Sequence, residues 1–102
     1  MTIKETTPEE VAGRLNKGEA LNLLDVREQD EWNEGHVAGA KHIPLGQLDM
    51  RLDELDPDHE FIVICRSGNR SGMACELLSK KGLKVVNMTG GLLAWTDNLV
   101  RD

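Results

Sequence analysis

The stretch Phe61-Ile62-Val63-Ile64-Cys65-Arg66-Ser67-Gly68-Asn69-Arg70-Ser71-Gly72 decides how the chain is read. An apolar, β-branched run ends on a cysteine. A short loop of small and basic residues follows, and a helix is expected to begin near Ser71. In open α/β sheets, ligands bind in the crevice at the carboxyl ends of the strands. The loop gives that crevice a sign. A helix start leaves backbone N–H groups without partners, and its dipole favours negative charge. Gly68 can take a positive φ, so the loop can curl with its amides inward, as an anion nest does. Arg66 and Arg70 add fixed positive charge. Such surroundings favour the thiolate: a free cysteine titrates near about 8.5, and sites of this kind bring it to roughly 3.5–7.5. The alternative is a structural cysteine closing a core strand, since free cysteine is among the most buried residue types. Two arginines, a glycine and two serines directly after the thiol make a poor core. The stretch therefore reads as a nucleophile, Cys65, beside an anion cradle of Arg66, Ser67, Gly68, Asn69, Arg70 and Ser71.

The 102 residues suit one domain with one modest core, at about residues 5–96, and a short polar carboxyl-terminal tail. The net charge of -6, from 12 basic and 18 acidic residues, argues against general binding of nucleic acid or anionic membranes. The arginines after Cys65 are thus a local positive spot on an acidic protein. Cys65 and Cys75 form neither a disulfide framework nor a Cys/His cluster with zinc spacing. Cys75 falls within the helix after the loop, where a structural role is favoured over that of a resolving thiol. The first residues lack the apolar core of a signal peptide, and no apolar run approaches membrane-spanning length. A reducing cytosol fits these features. Phosphate-loop and dinucleotide-binding fingerprints are both lacking, and nothing calls for a metal or an organic cofactor.

Outward from the central stretch, strand and helix signals alternate. Residues 2–6 suggest an edge strand. Thr7-Pro8-Glu9-Glu10 opens a helix with an N-cap, a proline at its first position and a capping-box glutamate. Val11, Ala12 and Leu15 share its inner face, and Gly18 stops it. Leu21 to Val26 is near-continuously apolar, as buried parallel strands are. Asp25 at its end, close to Arg27, suggests a paired structural carboxylate rather than a catalytic one. Glu28 to Glu34 reads as a short polar helix carrying Trp32. His36 lies in a glycine-punctuated turn, where a structural imidazole is favoured over a general base; His42 and His59 carry less signal. Lys41-His42-Ile43 suggests a short strand ended by Pro44. Leu45, Leu48, Leu52 and Leu55 have the spacing of an amphipathic helix. Met73, Ala74, Leu77 and Leu78 are expected to form the buried face of the helix after Cys65. Leu83 to Met88 forms the next strand, and Thr89-Gly90-Gly91 leads into a last short helix over 92–96, with Trp95 packing inward. The alternation predicts a parallel sheet with helices on both faces.

Several of these segments, in this order, resemble the single-domain rhodaneses, the thiosulfate sulfurtransferase-like family. Leu24-Asp25-Val26-Arg27-Glu28 is similar to the family's first signature. Glu31-Trp32, then Gly35-His36-Val37-Ala38-Gly39-Ala40 and Ile43-Pro44, are similar to its next segment. Cys65 to Ser71 resembles the active-site loop, and Gly90-Gly91 with Trp95 the closing motif. The resemblance implies a three-layer α/β/α domain with a five-stranded parallel sheet in the order 1-5-4-2-3. It implies that Cys65 takes the outer sulfur of thiosulfate or a similar donor and passes it, from a persulfide, to cyanide or a thiol. Arg66 and Arg70 would hold the anionic donor, and Asp25, Arg27 and His36 would support the site. By analogy with family loops, Arg66 favours thiosulfate over mercaptopyruvate.

Two further readings are weighed against this one. Cysteine-dependent phosphatases of related fold place five residues between cysteine and arginine, whereas four separate Cys65 from Arg70. The shorter loop suits sulfur better than a tetrahedral phosphate. A domain that relays persulfide sulfur to a partner protein, with small-molecule turnover incidental, is the second alternative.

Overall fold

A computed structural model of the chain describes residues 2–101. Five strands form one parallel sheet in the order β1-β5-β4-β2-β3, as the resemblance implies. They are β1 (Lys4–Thr6), β2 (Asn22–Asp25), β3 (Lys41–His42), β4 (Glu60–Ile64) and β5 (Lys84–Met88). Three α-helices connect them: α1 (Pro8–Asn16), α2 (Gln29–Glu34) and α3 (Asn69–Lys80). No helix among the described residues is long and apolar enough to cross a membrane.

Side chains alternate across a strand, so each strand supplies two cores. Phe61, Val63 and Cys65 face one side, packed with Ala74, Cys75 and Leu78 of α3 and with Leu48 and Leu55. Ile62 and Ile64 face the other, with Val11 of α1, Val86, Met88 and the flanking Trp95. The thiol is thereby committed to the α3 side. The register matters equally. Asp25 lies opposite Ile64, and Val63 opposite Asn87, so the carboxyl ends of β2, β4 and β5 meet around Cys65.

Several local expectations are met. Thr7 caps α1, its hydroxyl accepting from the Glu10 N–H at 3.2 Å, with Pro8 at the first position. Gly18 follows the end of α1 with a positive φ of 85°. Others are corrected. The four leucines from Leu45 to Leu55 do not form one α-helix; Leu45, Leu48 and Leu52 lie in two 3-10 turns, Leu45–Met50 and Leu52–Glu54, broken at Arg51, and Leu55 follows the second as its extended cap. Leu48 and Leu55 are nevertheless buried. Helix α3 begins at Asn69, two residues before the expected start, because Gly68 takes a left-handed conformation (φ 104°) that ends the loop there. Its buried stripe is Ser71, Ala74, Cys75 and Leu78, while Met73 is 61% exposed. Met73 sits two positions before Cys75, about 200° around the helix, and so points away from the core. The last short helix is a 3-10 turn over Gly91–Ala94 rather than a helix over 92–96. The polar carboxyl-terminal stretch is held: His36 and Val100 exchange both backbone hydrogen bonds at 2.8 Å, and Arg101 Nε donates to the Glu34 carbonyl at 3.0 Å.

The end of β2 is tied down by a buried ion pair. Asp25 is 1% exposed and accepts from Arg27 Nε and Nη2 at 2.9–3.1 Å and from the Arg27 backbone N–H at 3.0 Å. Arg27 also donates to the carbonyls of Gly35 at 2.7 Å and Glu31 at 3.3 Å. One guanidinium thus fastens α2 and the following turn to the sheet. Removing one partner of a buried pair leaves the other charge uncompensated. Arg27→Ala is expected to lower the unfolding free energy by about 3–5 kcal/mol in urea melts, with Arg27→Lys intermediate because it loses the bidentate geometry.

Candidate functional site

Cys65 follows the last residue of β4, and the chain turns at once. Leu92 N–H donates to the Cys65 carbonyl at 2.9 Å, and Leu93 N–H to the Arg66 carbonyl at 3.0 Å. The 3-10 turn after β5 is therefore clamped onto the backbone at the thiol. Contact is close enough to require glycine: a Cβ on Gly91, itself at φ 58°, would lie 2.4 Å from the Arg66 carbonyl. The glycine pair noted in the sequence has its physical reason here.

The loop closes around the sulfur. Gly68 N–H donates to Cys65 Sγ at 3.0 Å, and Sγ lies 3.3 Å from the Ser71 hydroxyl. Burial pushes the Cys65 thiol up. Hydrogen bonds from the Ser71 hydroxyl and from the backbone N–H groups of Ser71, Gly68 and Ser67 outweigh that effect, and the net direction is below the ordinary thiol value. Hydrogen bonds to the charged form favour it, and here they lead over the arginine charges expected from the sequence. Cys75, on α3 in the same core cluster, behaves oppositely. Burial, with the nearby Cys65 adding to it, pushes its thiol up to about 12.

The other predicted residues divide into two groups. Arg66 and Ser67 are exposed, and Asn69 is exposed on the first turn of α3. Arg66 lines an open cleft of about 270 Å³ with Arg27, the carboxylates Glu31 and Glu34, and Leu92, Leu93 and Leu99. Arg70 is instead engaged, donating through two nitrogens to both carboxylate oxygens of Glu31 at 2.6 and 2.8 Å. Asp25 and Arg27 form the buried pair described above, with Arg27 also in the cleft wall. His36 is buried, donates Nδ1–H to the Trp32 carbonyl at 2.9 Å and stacks on the Trp32 indole with ring centroids 3.5 Å apart. His42 stacks on the same indole and donates Nε2–H to the Arg27 carbonyl at 2.8 Å.

Two partners of the cradle were missed from sequence. Glu31 lies in a motif quoted above, but its ion pair spans 39 positions to Arg70. Asn87, on β5, accepts from the Ser71 hydroxyl at 2.5 Å and donates Nδ2–H to the Gly68 carbonyl at 3.3 Å. No local pattern marks it, because only the register of β5 against β4 brings it there.

The Glu31 carboxyl is held down to about 2, chiefly by its hydrogen bond to Arg70, against the opposing effect of burial. A carboxyl depressed in the folded state contributes stability that is present above its unfolded value and lost as pH falls through the folded one. The pair should therefore lose its contribution between pH about 4.5 and about 2. Glu31→Gln is expected to be less stable at neutral pH and to lose less stability across that acid range, as read from urea melts at stepped pH.

Comparison with known proteins agrees with this geometry. The sequence profile of the Rhodanese-like domain matches residues 7–98. YtwF of Bacillus subtilis is 41% identical over 95 residues, covering 93% of this chain and 92% of that protein. A protein of Allochromatium vinosum named sulfurtransferase is 33% identical over 94 residues, covering 91% of this chain and 88% of its own. The crystal structure of a rhodanese-like domain protein from Staphylococcus aureus superposes with a TM-score of 0.93 at 29% identity, over 98% of this chain and 99% of that one. By profile, relatives and fold alike, this chain belongs to the Rhodanese-like domain family.

Proposed function

We propose that this protein is a sulfurtransferase that carries sulfane sulfur on Cys65. The observation that carries the reading is the convergence of hydrogen-bond donors on one sulfur atom, with the thiol moved below its ordinary value. In the first half-reaction, the Cys65 thiolate attacks the outer sulfur of thiosulfate. A sulfur–sulfur bond forms to Cys65, the donor's sulfur–sulfur bond breaks, and sulfite leaves with its electron pair. In the second, cyanide or a thiolate attacks the outer sulfur of the persulfide, and Cys65 departs as thiolate. Two half-reactions through one covalent intermediate give ping-pong kinetics. The amides of Ser67, Gly68 and Ser71 stabilise the anionic sulfur in both resting states.

Arg66, exposed on the cleft wall, is the cation available to meet the incoming dianion. Arg70, held by Glu31, supplies field rather than direct grip. The loop with four residues between Cys65 and Arg70 suits a sulfur atom better than a tetrahedral phosphoryl group, which disfavours the phosphatase reading. A relay to a partner thiol is the second reading. The open cleft beside Arg66 and the exposed Leu93 and Leu99 at its rim favour it, since they offer a larger acceptor a surface next to the loop. The reducing cytosol is the compartment that suits a carrier with two free cysteines.

Intact mass after incubation with thiosulfate is expected to rise by one sulfur, to return on adding cyanide, and to stay constant in Cys65→Ser. Absence of the gain in the wild-type protein, or its persistence in Cys65→Ser, would overturn the reading. Rapid release to cyanide or small thiols marks an enzyme. A stable persulfide discharged only by a protein thiol marks a relay. Arg66→Ala is expected to raise KM for thiosulfate about tenfold or more, the loss of one charge-assisted contact, with little change in Tm.

A further inference from the structure

The contacts behind Cys65 contain a conflict over one proton. Around the thiol form, hydrogen bonds run in a single direction: Cys65 S–H to Ser71 Oγ at 3.3 Å, Ser71 O–H to Asn87 Oδ1 at 2.5 Å, and Asn87 Nδ2–H to the Gly68 carbonyl at 3.3 Å. A serine hydroxyl has one hydrogen to give. When Cys65 loses its proton, the sulfur becomes an acceptor, and the Ser71 hydrogen must turn toward it. Asn87 Oδ1 then faces an oxygen with no hydrogen between them, in a buried place where an unmade hydrogen bond is costly. The amide cannot simply exchange its ends, because its nitrogen is already committed to Gly68, whose own N–H holds the sulfur at 3.0 Å.

We infer that Asn87 is a positioning residue for Cys65: it competes with the sulfur for the single hydroxyl hydrogen of Ser71 while anchoring, through Gly68, the amide that faces the sulfur. The inference rests on Cys65 as the reacting thiol, and is independent of which donor supplies sulfur. It assigns Ser71 two orientations, one for the thiol and one for the thiolate or persulfide. The charged and titratable surroundings of Cys65 are Arg66, Arg70 with its partner Glu31, Cys75, and the Asp25–Arg27 pair at the neighbouring end of β2. None of them is altered in the variants that follow.

The test is a set of paired variants read by thiolate ultraviolet absorbance against pH, with the Cys65→Ser signal subtracted. It needs no sulfur donor, so failure of sulfur transfer and failure of this inference are separate results. Ser71→Ala is made in three backgrounds: wild type, Asn87→Asp and Asn87→Leu. An aspartate would hold the Ser71 hydrogen more strongly than the amide does, and a leucine would not hold it at all. The upward shift of the thiolate midpoint caused by Ser71→Ala is therefore expected to be smallest with Asn87→Asp and largest with Asn87→Leu. The spread expected between those extremes is about half a pH unit, or about threefold in acid constant. Asn87→Asp also replaces the amide donor to the Gly68 carbonyl, and the ionisation of its buried carboxyl depends on the Ser71 hydrogen it accepts, so the wild-type and Asn87→Leu backgrounds carry the test. A Ser71→Ala shift equal in those two backgrounds would mean additive, uncoupled residues and would overturn the inference. Should Asn87→Leu fail to fold, as judged by circular dichroism, wild type against Asn87→Ala, which likewise offers no acceptor for the Ser71 hydrogen and adds no charge, carries the same test.

Discussion

Everything at the site depends on bringing backbone N–H groups to within bonding distance of a sulfur atom that is otherwise buried. A thiolate taken out of water with nothing in its place would revert to thiol. Here water is replaced by amides at the start of α3, which have no helical partner of their own. The left-handed turn at Gly68 makes that possible. It lets the chain reverse within three residues of Cys65 and enter the helix with its first amides facing back. Cys75 shows the contrast within one molecule. It lies within α3, in the same core as Cys65 but without such donors among the described residues, and its thiol moves the other way.

The cradle is rigid because it is tied from several directions. The turn at Gly91 bonds to the backbone of Cys65 and Arg66. Glu31 on α2 holds Arg70, and Glu31 is itself positioned by accepting the Glu28 N–H at 2.9 Å. Arg27 then joins α2 and Gly35 to Asp25 in the sheet. These residues fix the loop, and a loop with fixed dipoles needs little rearrangement as charge shifts between sulfur atoms.

How much of this was legible in the sequence follows from the range of each interaction. The strand–cysteine–loop–helix order, the role of Gly68 and the pairing of Asp25 with Arg27 are local, and the sequence shows them. The five-stranded sheet and its order came from the resemblance of several ordered motifs, since alternation alone sets no strand order. Leu45 to Leu55 illustrates a different limit. Apolar spacing reports which side chains turn inward, and Leu48 and Leu55 do, but it does not choose between α and 3-10 hydrogen bonding. Met73 was misplaced because the apolar spacing of Met73, Ala74, Leu77 and Leu78 does not choose among overlapping stripes, and packing selects Ser71, Ala74, Cys75 and Leu78. Asn87 and the pairing of Glu31 with Arg70 were out of reach, as both are products of tertiary register.

The two ends of the chain are unequal with respect to the cleft. Strand β1 enters the sheet at the end opposite the carboxyl edge where Cys65 lies, so a segment joined before it departs away from the thiol. The other end finishes at the mouth, with Val100 bridged to His36 and Leu99 in the cleft wall beside Arg66. In a larger protein built from this unit, a module attached after residue 101 would be delivered to the rim, where it could cap the cleft or receive sulfur directly. A module attached at the front would leave the cleft open. Gene fusion at one end would alter access to the thiol, and at the other would only add a passenger.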